Sequence, residues 1–167
     1  MNILEYFRTI KTFIFDVDGV LTDNTLLVTE AGELLRTMNC RDGYALRRAV
    51  SEGYNICIIT GGRSQGVIKR LELLGITEIF AGIEDKLPSY RRYMESHDLN
   101  HETVLYMGDD EPDYPVMRLV GLPCCPADAV PKVTEVARYI SPLKGGAGCV
   151  RDVIEKVMRL QKKWEPR

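Results

Sequence analysis

Three apolar runs rich in β-branched and aromatic residues punctuate the chain: Phe13 to Phe15, Asn55 to Thr60 and Thr103 to Met107. Each stops abruptly at glycine together with a carboxylate or hydroxyl side chain: Asp16, Asp18 and Gly19; Thr60, Gly61 and Gly62; Gly108 and Asp109. Short unbroken apolar runs suit strands covered on both faces, as in a parallel sheet. Helical spacing fills the intervals. Asp42 is placed to N-cap a helix with Leu46, Ala49 and Val50 on one face, closed at Glu52-Gly53. Ser64 to Leu74 carries Val67, Ile68, Leu71 and Leu74 at helical spacing and ends at Gly75; Asp85 to Ser96 reads as another helix. Further short strands fall at Ile79-Phe80, Leu122 to Cys125 and Tyr139-Ile140, the last two flanking a helix around Val130 to Val136. Cys149 to Lys163, with Val150, Val153, Ile154, Val157 and Leu160 apolar, predicts a final helix. Alternating strand and helix predict an α/β fold, a doubly wound, Rossmann-like parallel sheet, in one domain over residues 1–167.

One stretch breaks the alternation. Thr25 to Val28 and Leu34 to Met38 are strand-like and separated by Thr29 to Glu33, a turn containing Gly32, so residues 25–38 predict a small β-hairpin insertion. It sits where a cap domain would be inserted, yet it is too small to be one. An isolated two-stranded hairpin is marginal in water, so it either packs back on its own domain or pairs with another chain.

At 167 residues, 45% hydrophobic, the chain is sized for one core. A formal charge of −2 with interspersed signs gives no reason to expect a nucleic-acid partner. Met1 to Lys11 lacks the apolar core of a signal peptide and no run approaches membrane-spanning length, so the expectation is a cytoplasmic protein with no membrane partner. Five cysteines at 40, 57, 124, 125 and 149 include no C-x-x-C pair, which points to reduced packing residues rather than a zinc site or disulfide framework. His97 and His101 lie in a polar connection and read as surface residues, and the tail from Trp164 carries no functional signal.

The chemistry concentrates at the strand ends. In extended chain Asp16 and Asp18 point to one side, about 6.6 Å apart, and so can flank a phosphoryl group, one attacking while the other shuttles protons. Gly19 lets the backbone turn away beyond the carboxyl end of the strand, where open α/β sheets bind ligands. The hydroxyl of Thr60 and the free N–H groups of Gly61 and Gly62 suit a phosphate cradle. Lys86 occupies a first helical turn, an unfavourable place for a cation with respect to the helix dipole unless an anion lies nearby. Asp109, Asp110, Glu111 and Asp113 crowd four acids into five residues, at a cost of roughly 4 kcal/mol for each pair of charges 4 Å apart at an effective dielectric of 20. A divalent cation would relieve that repulsion.

The motif D-x-D-G-x-x-T at Asp16 to Thr22, the strand ending in Thr60, Lys86, and GDDEPD at Gly108 to Asp113 resemble, in order and spacing, the four motifs of the haloacid dehalogenase superfamily. The R-D-G of Arg41 to Gly43, TGGRS of Thr60 to Ser64, GDDxxDxPVM of Gly108 to Met117 and GGxGxVRD of Gly145 to Asp152, with no cap domain, are similar to its 3-deoxy-D-manno-octulosonate 8-phosphate phosphatases. The resemblance implies a Mg²⁺-dependent phosphatase of lipopolysaccharide precursor synthesis, working through an aspartyl-phosphate. Asp16 would be the nucleophile and Asp18 the acid and base. Asp16, the Asp18 carbonyl and Asp109 would hold the metal, and Thr60, Gly61 and Lys86 the phosphoryl oxygens. Asp113 and Asp110 would orient Lys86 and metal-bound water, and Arg63 is the candidate for the substrate carboxylate. The resemblance further implies a homotetramer centred on the hairpins, with the tail from 144 to 167 reaching a neighbour's site. The family often has arginine in its C-terminal glycine segment where this chain has Ala147. The same chemistry on a nine-carbon sugar acid 9-phosphate and, in another class, a catalytically idle regulatory or assembly domain are the alternatives.

Overall fold

β1 (Thr12–Phe15) runs through the middle of a six-stranded sheet in which every pairing is parallel. On one side it pairs with β4 (Asn55–Ile59), Phe15 opposite Ile58, and β4 pairs in turn with β5 (Glu78–Phe80). On the other side Phe15 stands opposite Met107 of β6 (Val104–Met107), followed by β7 (Leu122–Cys125) and β8 (Tyr139–Ile140). The chain therefore winds outward from β1 in one direction, returns, and continues on the other side, which opens a crevice beyond the carboxyl ends of β1 and β6. This is a computed structural model, and it describes residues 1–165; the last two residues of the expected domain, and the end of its tail, lie outside the described residues.

The period of two along each buried strand divides the core between the two faces. Phe13 and Phe15 turn one way, into a cluster with Leu46, Ile58, Leu105 and Met107 and with Val150, Val153, Ile154 and Val157 of α7 (Cys149–Leu160). Ile14 turns the other way and meets Cys57, Ile59 and Tyr106 with Tyr90, Tyr93 and Met94 of α4 (Lys86–Ser96). Each such fully buried large side chain contributes about 1.5–3 kcal/mol by leaving water. Four of the five cysteines are buried in this packing, while Cys40 is exposed; all are free thiols. No helix among the described residues is long and apolar enough to cross a membrane.

Two local expectations change. The helix α2 (Cys40–Ser51) is capped by Asn39, whose side chain accepts from the N–H groups of Arg41 and Asp42. Asp42 is buried instead, and its Oδ1 accepts the Arg151 N–H at 2.8 Å in the first turn of α7. The reason is that α7 starts at Gly148, which has no side chain to cap it, so the carboxylate of another helix supplies the acceptor. Residues from 144 onward pack against their own chain. Gly146 N–H donates to Val20 O at 3.0 Å, and a Cβ on Gly145 would overlap the Gly19 carbonyl. Trp164 is buried, with the Arg48 guanidinium 4.6 Å above its ring.

The hairpin forms, with shorter strands than its sequence suggests: β2 (Leu27–Val28) and β3 (Leu34–Leu35) pair antiparallel. Thr25 leaves the ladder because its N–H and hydroxyl both go to Asp23 Oδ1, and Met38 leaves it to pack against the core. The apolar residues Leu26, Leu27, Val28, Leu34 and Leu35 are 43–67% exposed, so no part of the described chain covers them.

Candidate active site

Asp16 is carried to the crevice by the last rung of β1, its N–H donating to Met107 O at 3.1 Å. The backbone then coils tightly: the N–H groups of Val20, Leu21 and Thr22 all reach Val17 O. Thr22 Oγ1 closes the loop by accepting from Gly19 N at 3.2 Å. Gly19 has φ 86° and its open side faces the Asp109 carboxylate, where a Cβ would collide. That residue must be glycine on both counts.

The end of β6 meets this loop. Past Gly108, the chain turns so that Asp113 folds back and its Oδ2 accepts the N–H groups of Asp109 and Asp110 at 3.0 and 3.4 Å. Asp113 Oδ1 accepts from Tyr106 Oη and from Lys86 Nζ, each at 2.6 Å. Lys86 Nζ also lies 2.9 Å from Asp16 Oδ1, and the Val17 N–H donates to that same oxygen at 2.7 Å. Both contacts fall on Oδ1, which leaves Oδ2 of Asp16 for chemistry. From β4 comes Thr60, whose hydroxyl accepts the Gly62 N–H at 3.1 Å.

The electrostatics of the cluster are those of too much buried negative charge. Burial, and then Asp113, push the Asp16 carboxyl up to about 7 against the opposing pull of Lys86. Burial, then Asp16, Asp113 and Asp110, push Asp109 to about 8. Burial works against the Lys86 ammonium, but Asp16 and Asp113 outweigh it and hold it above its ordinary value. Oxygens of Asp16, Asp109 and Asp113 lie within 4.8 Å of one another, and Asp109 Oδ1 is buried with no hydrogen-bond partner. The oxygens of Asp113 are already taken by Lys86, Tyr106 and two N–H groups. Asp16 and Asp109 thus remain as carboxylate ligands, a hard oxygen set that fits Mg²⁺.

Asp16, Asp18, Thr60, Gly61, Lys86, Asp109, Asp110 and Asp113 all line one cleft of about 210 Å³. Arg63 does not line it; its side chain lies against Gly82, where a Cβ would come 2.9 Å from Arg63 Nε. A larger, open depression of about 700 Å³ runs along α7. Most of its charges are spent on one another, Arg151 and Arg159 on Glu155 and Lys156 on Asp152, leaving Arg41, whereas the smaller cleft gathers the carboxylates, Lys86 and Thr60. Two participants escape sequence reasoning. Tyr106 looks like one more apolar strand residue, and Arg36 lies just past β3, where nothing local marks it. Its guanidinium nevertheless grips Asp18, Nε to Oδ1 at 2.7 Å and Nη2 to Oδ2 at 3.0 Å.

Residues 72–151 match the haloacid dehalogenase-like hydrolase family. The 3-deoxy-D-manno-octulosonate 8-phosphate phosphatase KdsC of Yersinia pestis is 37% identical over 164 residues, 98% of this chain and 88% of that protein. KdsC of Escherichia coli (strain K12) is 38% identical over 156 residues, 93% of this chain and 83% of that one. Among solved structures, the Yersinia pestis phosphatase superposes with a TM-score of 0.93 at 37% identity, over 96% of this chain and 87% of that one. The Moraxella catarrhalis phosphatase, in complex with magnesium ion, phosphate ion and KDO, also has a TM-score of 0.93, at 30% identity over 96% of this chain and 92% of that one.

Proposed function

The chain belongs to the haloacid dehalogenase-like hydrolases, within the 3-deoxy-D-manno-octulosonate 8-phosphate phosphatase family, and on that premise we propose that it hydrolyses this eight-carbon sugar acid phosphate to the free acid and phosphate. The observation that carries the reading is the placement of Lys86 between Asp16 and Asp113, with the orphaned oxygen of Asp109 beside them. An oxygen of Asp16 attacks phosphorus as the bond to the sugar oxygen breaks, and Asp18 gives that oxygen its proton. Water then surrenders a proton to Asp18 and attacks the aspartyl-phosphate, releasing phosphate and restoring Asp16. Thr60 and Gly61 receive phosphoryl oxygens, Lys86 neutralises charge on both Asp16 and the phosphoryl group, and Asp113 keeps Lys86 aimed. Asp16, the Asp18 carbonyl and Asp109 would hold Mg²⁺, which when bound would offset the approach of anion to anion. Asp110, which lines the cleft, would orient water on that ion.

The exposed apolar hairpin supports a homotetramer in which each site is walled by a neighbour, since no cap insertion among the described residues roofs the cleft and 43–67% exposure of five apolar hairpin residues leaves a surface to bury. The enzyme works as a single-domain, cytoplasmic protein on a small anionic substrate. The deciding experiment compares kcat/KM on octulosonate 8-phosphate, nonulosonate 9-phosphates and simple sugar phosphates. A clear preference for the first supports the reading. Preference for a nine-carbon acid, or hydrolysis of none of them with Mg²⁺, overturns it.

A further inference from the structure

Arg36 has no part in those steps, yet its guanidinium makes a two-point contact with Asp18. The two N–H···O contacts at 2.7 and 3.0 Å are the parallel fork of a bidentate arginine–carboxylate pair, which fixes orientation as well as charge. Two further features hold the fork still. Arg36 Nη1 donates to Leu34 O at 3.2 Å, tying the guanidinium to the strand that carries it. On the far side Gly62 leaves room: a Cβ there would come 3.2 Å from Arg36 Nη2 and 3.3 Å from Asp18 Oδ2. Asp18 itself sits on the loop after β1, eighteen residues away along the chain. The pair therefore joins the base of the hairpin to the nucleophile loop.

Resting on the phosphatase reading, we propose that Arg36 is a positioning residue that aims the Asp18 carboxylate at the water of the second step, so that the hairpin, through Arg36, controls breakdown of the aspartyl-phosphate. An arginine fork acts on the carboxylate form, which is the form that accepts a proton. In that step the water oxygen bonds to phosphorus, the bond from phosphorus to the Asp16 oxygen breaks, and the proton of water passes to Asp18. Without Arg36 the Asp18 side chain is free to rotate about its own bonds, and water loses its oriented base while attack by Asp16 keeps its geometry. Because Arg36 follows directly on β3, whatever covers the exposed Leu34 and Leu35 also sets the fork.

The test uses 4-nitrophenyl phosphate with Mg²⁺ in a stopped-flow instrument, since nitrophenolate departs from phosphorus without a proton and isolates the second step. Arg36→Gln is expected to release close to one nitrophenol per site in a burst at the parent's rate. Steady turnover then runs slower by roughly tenfold to a hundredfold, less than the about 10²–10⁴-fold that a general base supplies, because the base is misaimed rather than removed. Acid quench should trap the accumulated phospho-enzyme. Arg36→Lys, which keeps the charge but not the fork, should lie between. Gly62→Ala, away from the hairpin strands, should press on the fork from the other side and give the same signature more weakly. Steady turnover equal to the parent's overturns the proposal, as does equal slowing of burst and steady phases. A rise in KM confined to carboxylate-bearing substrates makes Arg36 a substrate contact and also overturns it. Loss of turnover that tracks dissociation of the Arg36→Gln assembly, with Gly62→Ala unaffected, does so as well. A parent enzyme that hydrolyses no phosphate ester, or an Asp16→Asn variant that still does, would instead bring down the phosphatase reading itself.

Discussion

The Tyr106 hydroxyl donates to Asp113 Oδ1 at 2.6 Å, the same oxygen that takes the Lys86 ammonium. A buried strand residue thus supports the lysine one step removed, by holding the carboxylate that holds it. Tyr106→Phe should cost about 1.5–3 kcal/mol in urea denaturation, the range of a hydrogen bond to a charged group. It should also lower kcat several-fold with KM little changed, because Lys86 keeps its charge but loses its aim.

Asp16→Asn is expected to lower turnover by at least about four orders of magnitude, since an amide oxygen cannot form the acyl-phosphate. The fold should survive, because Lys86 keeps Asp113 and the Val17 N–H keeps an oxygen to meet. Circular dichroism beside a phosphate-release assay checks both halves.

Asp109 costs stability in the absence of a cation, with one buried oxygen unpartnered and three acids around it. In EDTA, Asp109→Asn should therefore melt higher than the parent by several degrees, roughly 1–3 kcal/mol of relieved desolvation. Adding Mg²⁺ should raise the parent's Tm and leave that of the variant almost unmoved. A parent Tm indifferent to Mg²⁺ would contradict the assignment of the metal ligands.

Asp42 supplies a pH dependence that can be isolated. Burial pushes its carboxyl up to about 6 from an ordinary 3.8, against the pull of the α7 N–H groups and Arg151. The folded state therefore binds a proton more tightly than the unfolded chain, so this group's contribution falls as pH rises from about 4 through 6, by an amount on the order of 3 kcal/mol. Asp42→Asn removes that titration. Urea midpoints at pH 4.5 and 7.5 should show the variant gaining on the parent at the higher pH; an unchanged difference between the two would remove Asp42 from the account.

Replacing the cross-strand partners Leu27 and Leu35 by Lys and Glu should yield monomers in sedimentation velocity. The individual chain should lose no more than about 0.5 kcal/mol, since both side chains are exposed within it. On the proposed tetramer, activity should fall with dissociation, because the proposed wall from a neighbour goes with it.

The sheet and the cleft were largely legible in the sequence because they are local signals: an apolar run of four or five residues, then a carboxylate or hydroxyl and glycine, repeated at β1, β4 and β6. Lys86 was legible for the same reason, as a cation in a first helical turn. What escaped was set by contacts between distant segments. Asp42 has every local attribute of an N-cap, yet it caps α7, because Gly148 left that helix without an acceptor and tertiary proximity prevailed over position in the chain. Arg36 and Asp18 are eighteen residues apart, and no periodicity links them. Arg63 carried the right charge in the right motif, and its side chain turned toward Gly82. Tyr106 shows one limit of reading hydrophobic patterns, since its ring obeys the strand's apolar period while its hydroxyl belongs to the polar network.

The packing of Gly145 and Gly146 on the loop from Gly19 to Asp23 has a consequence for how this protein comes off the ribosome. Synthesis runs from the amino end, so the loop that bears Asp16 is made before the backbone that braces it. Strands β1 through β8 all precede that brace along the chain. A chain that stops short of residue 145 therefore carries every reactive side chain and an unbraced loop, and the finished cleft forms only once residue 146 is free to pack against Val20.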